Sequence, residues 1–121
     1  MYIPEISNDG KFLIISTNKD TANMNLLAVA DISKGISRSF TRSDIMIRNL
    51  VPDFIGSFSY LHNKDYDFYF VTNFDAPNKR IIKIDSNYPE QYRWVEIVPQ
   101  HGNDLLEYSF ISNGYIMINY L

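Results

Sequence analysis

The sequence predicts an all-β protein assembled from repeated, four-stranded antiparallel units. Three observations carry that expectation. Nine short runs of 5 to 8 residues, rich in Ile, Val, Tyr and Phe, are bounded by Asn, Asp, Gly, Pro or Ser, the pattern of strands between turns. No window sustains the i, i+3, i+4, i+7 apolar stripe of three helical turns without a breaker. A heptad of the form Thr-Asn-x-Asp-x-x-Asn is written twice, as "TNKDTAN" from Thr17 to Asn23 and as "TNFDAPN" from Thr72 to Asn78, 55 residues later.

The runs fall into order along this repeat. Unit one, residues 1–53, holds "KFLIIST", "NLLAVADI" and, as its fourth strand, "SDIMIRNL". Unit two, residues 54–103, holds "SFSYL", "DFYFVTN", "RIIKID" and "RWVEIV". Aligned on the heptads, "EISNDGKFLIISTNKDTANMNLLAVADIS" lies over "YLHNKDYDFYFVTNFDAPNKRIIKIDSN", so strand, Thr-Asn turn, strand and closing Asp recur together. Residues 104–121 open a third unit with "LEYSFI" and "YIMINYL", where "SFISNGYIMINYL" matches "PEISNDGKFLIIST". A unit of about 50 residues with four short strands has the period of a β-propeller blade. The expected architecture is a partial β-propeller of about two and a half antiparallel blades, without crossover helices.

The heptad then has a mechanical meaning. It falls between the second and third strands of each unit, where Asn and Asp side chains bond nearby backbone N–H groups and tolerate left-handed angles. In the second copy Pro77 fixes its own φ and pushes Ala76 towards extended geometry.

Composition sets the remaining bounds. The chain has 121 residues, 45% apolar, 15% aromatic and 21% charged, the balance of a folded protein with a core and a length typical of one domain. Net charge is -3 and Lys79-Arg80 is the only adjacent basic pair, so a nucleic-acid partner is not expected. Absence of cysteine excludes disulfides and thiolate metal sites. The start "MYIPEISNDGKF" lacks the basic and apolar segments of a signal peptide, and no run approaches the roughly 18 apolar residues of a membrane span. A cytoplasmic location with no membrane partner is expected.

Two stretches resemble a known family. "TNFDAPNKRIIKID" followed by "YRWVEIVPQHGNDLLEYSF" resembles the propeller domain of the prolyl oligopeptidases, serine endopeptidases that cut short peptides after proline. That family reads Thr-Asn-x-x-(Ala/Ser)-Pro-Asn-x-Arg-(Val/Leu)-Ile, matched by Thr72, Asn73, Ala76, Pro77, Asn78, Arg80 and Ile82, with Asp75 inside the same turn. It then reads Trp-x-x-x-(Ile/Val)-Pro-x-His-x-x-Asp-x-Leu-Glu-Trp, matched by Trp94, Val98, Pro99, His101, Asp104, Leu106 and Glu107, with Tyr108 replacing the last Trp. "SNDGKFLIIST" resembles the family's Ser-Asp-Asp-Gly-(Lys/Arg)-Tyr blade start.

The resemblance implies a seven-bladed propeller that caps an α/β-hydrolase domain and admits peptides through a central tunnel. Its catalytic Ser, Asp and His belong to the hydrolase domain, so no catalytic residue is expected here and the chain alone should be inactive. Consistently, the chain has no Gly-x-Ser-x-Gly nucleophile elbow, and "GSFSY" lacks the flanking glycines. On "NLLAVADIS" the family pattern reads Asn-Arg-Leu-Trp-Tyr-Cys-Asp-Leu. Leu26 stands for that arginine and Ala30 for that cysteine, so any peptide contact through either is lost or altered.

Individual residues are weighed against structural roles. His62 in "YLHNKD" and His101 in "PQHGND" lie in turn-like contexts with no activated nucleophile, so each reads as structural or solvated. Asp9, Asp20, Asp75 and Asp85 lack the spacing of a calcium loop and read as turn formers. Asp104 and Glu107, three apart on a strand, face opposite sides and make no carboxylate pair. Arg80 is the one candidate for substrate contact: it can bridge to Asp75, bridge to an acidic residue of a neighbouring blade, or meet a peptide carboxylate in a tunnel. Tyr60, Phe68, Phe70, Trp94, Tyr108 and Phe110 read as packing between blade faces. No cofactor and no metal is expected.

Two blades and part of a third do not close a ring, so apolar faces and the β-prone "YIMINYL" edge predict self-association of the isolated chain. The expected partners are the remainder of a propeller, an α/β-hydrolase domain and short peptides. Two other readings stand beside this one: a non-enzymatic propeller interaction module completed by a partner chain, and a β-sandwich of 8 or 9 strands with an accidental repeat.

Overall fold

The computed structural model describes residues 2–18, 23–33 and 47–100, and the backbone of two further strands, Leu106–Ser112 and Tyr115–Tyr120. The first four strands are β1 (Tyr2–Ile6), β2 (Phe12–Asn18), β3 (Asn25–Asp31) and β4 (Ile47–Val51). They form one antiparallel sheet in the order β1-β2-β3-β4. Next come β5 (Phe58–Lys64), β6 (Asp67–Thr72), β7 (Arg80–Asp85) and β8 (Val95–Val98), a second antiparallel sheet in the order β5-β6-β7-β8. The last pair, β9 (Leu106–Ser112) and β10 (Tyr115–Tyr120), is an antiparallel hairpin, and β9 runs beside β5. The expected all-β, sequentially paired blade architecture is what the chain adopts.

Alternation builds these sheets. In β6, Phe68, Phe70 and Thr72 point to one side and are fully buried, while Tyr69 and Val71 between them are half-buried. Phe12, Ile14, Leu27, Val29, Leu50 and Val51 of the first sheet join Phe58, Phe68, Phe70, Ile82 and Ile84 of the second in one continuous core. The sheets therefore pack face to face, with Phe12 edge-on to Phe68 at 5.0 Å and to Tyr66 at 5.6 Å. Ile81, on the opposite face of β7 from Ile82 and Ile84, is equally buried, while Val71 and Val98 beside it are half-buried. Of the aromatics assigned to packing, Phe68, Phe70, Tyr60 and Trp94 join this core or lie against it; Tyr108 and Phe110 lie outside the described side chains.

Two boundaries differ from the runs read in the sequence. β1 was not among the nine runs because "YIPEI" carries Pro4 and Glu5 and is exposed along its length. It is an edge strand, the one sheet position where proline's missing N–H is harmless. "YRWVEIV" begins in a single 3-10 turn at Gln91–Arg93, and only Val95–Val98 pair in the sheet.

The repeat is also legible in backbone angles. Gly10, in the β1–β2 turn, has φ 73°, and Asp65, in the β5–β6 turn 55 residues on, has φ 53°. Both tight turns need one left-handed residue. The two heptads fall at the β2–β3 and β6–β7 connections, although residues 19–22 of the first lie outside the described residues. No helix among the described residues is long and apolar enough to cross a membrane.

Candidate functional site

The second heptad is a cross-linked corner. Thr72, buried at the end of β6, accepts the Phe74 N–H through Oγ1 at 3.0 Å. The Asn73 carbonyl accepts the Ala76 N–H at 3.0 Å, and the Ala76 carbonyl accepts the Lys79 N–H at 2.7 Å. Asp75 and Lys79 adopt φ 52° and 72°, the left-handed conformation that Asp tolerates better than most residues. Asn73 Oδ1 accepts the Ser57 N–H at 2.7 Å, tying the corner to the chain entering β5. Pro77 is exposed, and Asn78 donates its N–H to Gln100 Oε1 at 2.7 Å beyond β8.

Arg80 closes this corner rather than opening towards a ligand. Its Nε donates to the Phe74 carbonyl at 3.1 Å, its Nη1 reaches Glu96 Oε2 at 3.0 Å, and its guanidinium lies 5.9 Å from the Phe74 ring centroid. The expected ion pair exists, but its partner is Glu96 on β8 of the same sheet, not Asp75 and not a residue of the neighbouring sheet. The cause is register: Arg80 and Glu96 lie on adjacent antiparallel strands, while Asp75 sits at the exposed tip of the turn. Trp94 packs edge-on to Phe58 at 5.6 Å and to Phe74 at 5.9 Å, and its Nε1 donates to the Pro89 carbonyl at 2.9 Å. Thr72, Asn73, Phe74, Arg80 and Trp94 are thus one structural cluster. Pro99 follows β8 directly. His101 and Asp104 lie outside the described residues, and Glu107 is placed only as a position on β9.

The seam between the two sheets carries a second set of polar side chains: Asp9, Tyr60 and His62, read in the sequence as turn-forming, packing and structural or solvated, join Asn8, Asn25 and Asn63 there. At one end Asn25, the first residue of β3, is buried against the start of β5. Its Oδ1 accepts the Phe58 N–H at 2.7 Å, its Nδ2 donates to the Phe58 carbonyl at 3.1 Å, and its own N–H donates to the Gly56 carbonyl at 3.0 Å. At the other end the β1–β2 turn meets the β5–β6 hairpin. Asn63 Nδ2 donates to Asp9 Oδ2 at 3.0 Å, and Tyr60 Oη donates to Asn63 Oδ1 at 2.6 Å while accepting the Asn8 N–H at 3.1 Å. Asn8 Nδ2 donates to His62 Nδ1 at 3.0 Å, so His62 is a seam residue.

Electrostatics fit these roles. Burial acts to raise the Asp9 carboxyl, but donors from Ser7 Oγ, the Lys11 N–H and Asn63 outweigh it and hold Asp9 below the usual carboxylate range. Burial, aided by the charges of Asp9 and Glu5, raises the Tyr60 phenol against the opposing bond from Asn8, keeping its proton available for Asn63. Asp85 Oδ1 accepts the Asn87 N–H at 2.9 Å, a turn-forming role like that of Asp9 with Lys11. Asp20 lies outside the described residues.

A polar cleft of about 330 Å³ opens between the sheets, walled by Glu5, Ser16, Asn25, Ser59 and Tyr60 among others. Of these, Glu5, Ser16 and Ser59 can exchange hydrogen bonds with a polar ligand, while Asn25 and Tyr60 are held by their bonds across the seam. No histidine accompanies the serines among the described lining residues, so the cleft offers no activated hydroxyl there. Arg80 does not line it.

Comparison with known proteins agrees with this architecture. The model of the family described as "Prolyl oligopeptidase, N-terminal beta-propeller domain" matches residues 1–121. The chain is 32% identical over 85 residues to the dual function macrocyclase-peptidase POPB of Galerina marginata, covering 70% of this chain and 11% of that protein. It is 26% identical over 119 residues to the protein of the same name from Amanita bisporigera, covering 98% of this chain and 16% of that one. Among solved structures, prolyl oligopeptidase B from Galerina marginata in its apo form superposes with a TM-score of 0.84 at 28% identity, over 99% of this chain and 16% of that chain. The chain thus spans about one sixth or less of the relatives it matches. With the whole sequence matched and the blade architecture reproduced, the chain belongs to the prolyl oligopeptidase family, as a segment of its N-terminal β-propeller domain.

Proposed function

We propose that this chain supplies non-catalytic blades to a propeller that gates short proline-containing peptides towards a serine-peptidase hydrolase domain outside these 121 residues. On this reading residues 1–53 and 54–103 are blades, and residues 104–121 begin another. The observation that carries it is the match of the propeller-domain family to the entire chain, on two four-stranded sheets packed face to face. The described polar groups support a structural role: the Thr72–Arg80 corner and Trp94 are spent on internal bonds. A Galerina relative is described as bound to a 35mer hydrolysis and macrocyclization substrate, which makes peptides the substrate class to test here.

The test uses the isolated chain and the full-length protein that contains it, with a short chromogenic peptide that releases its dye after proline. The isolated chain should release nothing. The full-length protein should turn the peptide over, lose activity to a serine-reactive inhibitor, and cut long polypeptides far more slowly. Turnover by the isolated chain, or equal cutting of long and short substrates by the full-length protein, would overturn this reading.

A further inference from the structure

The seam between the two sheets is bonded at both ends by side chains that reach the other sheet. Apolar packing alone resists separation without direction and permits sliding and parting on a scale set by local stability. Side-chain bonds to the backbone of a neighbouring sheet act differently, because parting leaves buried N–H and C=O groups without partners. Asn25 makes that kind of bond. Its amide meets both polar groups of Phe58, as a strand neighbour would, and its own N–H holds Gly56 two residues earlier. Asn8, Asp9, Tyr60, His62 and Asn63 fasten the far end.

The equivalent position in the second sheet carries a different residue with different described bonds. Arg80 stands 55 residues after Asn25, and each is the first residue of the third strand of its sheet. Asn25 turns to the next sheet, whereas the bonds of Arg80 run to Phe74 and Glu96 of its own. The first sheet thus places a short amide that reaches across, and the second a long cation folded back on its own sheet.

We propose that the seam between the β1–β4 and β5–β8 sheets is a clasped, non-opening wall of the propeller, and that Asn25 is the positioning residue that keeps it shut against long polypeptides. The exclusion of long polypeptides rests on the gating reading above; the clasp itself does not.

Amide hydrogen exchange on the full-length protein reads the clasp directly. The Phe58 and Asn25 N–H groups should exchange as slowly as those of Phe68 and Ile82. Asn25→Ala should raise Phe58 exchange about tenfold relative to Phe68, the scale expected when partners of a buried backbone group are removed. Asn25→Asp, which keeps the acceptor and loses the donor, should fall between them, and it carries the comparison if the alanine variant fails to fold. In the same variants the kcat/KM ratio for a long polypeptide over a short proline-containing peptide should rise about threefold or more, the scale expected from a partly populated open seam. Loop-like exchange at Phe58 in the unaltered protein overturns the clasp. Faster exchange with an unchanged ratio overturns the role of Asn25 in exclusion. A full-length protein without any peptidase activity overturns the gating reading instead, and the exchange rates still decide the clasp.

Discussion

Asn63 donates its side-chain amide to Asp9 Oδ2 at 3.0 Å across the seam, joining residues 54 apart in the chain. The bond places a carboxylate between three donors, since Ser7 Oγ and the Lys11 N–H hold Oδ1. Those donors lower the folded pKa of Asp9 despite the opposing effect of burial. The unfolded chain therefore binds a proton at Asp9 more readily than the folded chain does. The stability from Asp9 is complete above the ordinary Asp value of about 3.9 and is lost as pH falls through the depressed folded value. Urea unfolding at pH 6 and pH 3 should show Asp9→Asn less stable than the unaltered protein at pH 6 and losing less on acidification.

Arg80→Lys tests the fork at the corner. A single ammonium cannot serve the Phe74 carbonyl and Glu96 while stacking on the Phe74 ring in the planar manner of a guanidinium. Arg80→Ala should cost about 1–2 kcal/mol and Arg80→Lys about half of that, since the Phe74 bond is partly shielded from solvent. Glu96→Gln should cost under about 0.5 kcal/mol, because Glu96 is 44% exposed and its Coulombic share is screened. Denaturant midpoints of the three variants check the ranking, and equal effects from Arg80→Lys and Glu96→Gln would contradict it.

Gly56 lies where the corner and the start of β5 meet. A Cβ there would come within 2.9 Å of Asn73 Oδ1 and 3.1 Å of Phe74 Cβ. Gly56→Ala should therefore push Asn73 away from Ser57 and cost about 1–3 kcal/mol, the range of overpacking a fitted site. A thermal unfolding curve indistinguishable from the parent's would show that the corner yields without loss.

Phe68 marks the centre of the core shared by the two sheets. It is fully buried and meets Phe12 of the first sheet edge-on. Phe68→Ala should cost about 3–5 kcal/mol, whereas Phe68→Leu, which fills more of the space, should cost markedly less. Because the core spans both sheets, near-ultraviolet dichroism and amide exchange in the β1–β4 sheet should respond along with those of the β5–β8 sheet.

The sequence by itself determined the strands, their sequential pairing and the repeat. Alternation in "DFYFVT", the paired heptads and the bounding turn residues are local signals, set by side-chain period and backbone sterics, and they place β2 to β10 and the corner between β6 and β7. β1 escaped because an exposed edge strand with a proline has no buried face to impose a pattern. Local turn bonds such as those of Asp9 to Lys11 and Asp85 to Asn87 follow from the sequence, but tertiary structure alone decided which polar side chains bond between strands and sheets. Arg80 looked free to reach a neighbour or a ligand, and only strand register gave it to Glu96. Asn25 looked like any asparagine opening a strand, and only the packing of the next sheet brought Phe58 to its amide, 33 residues away. A strand's pattern is written within a few residues, but a hydrogen bond across a seam depends on how two finished sheets face each other, which no short stretch of sequence encodes.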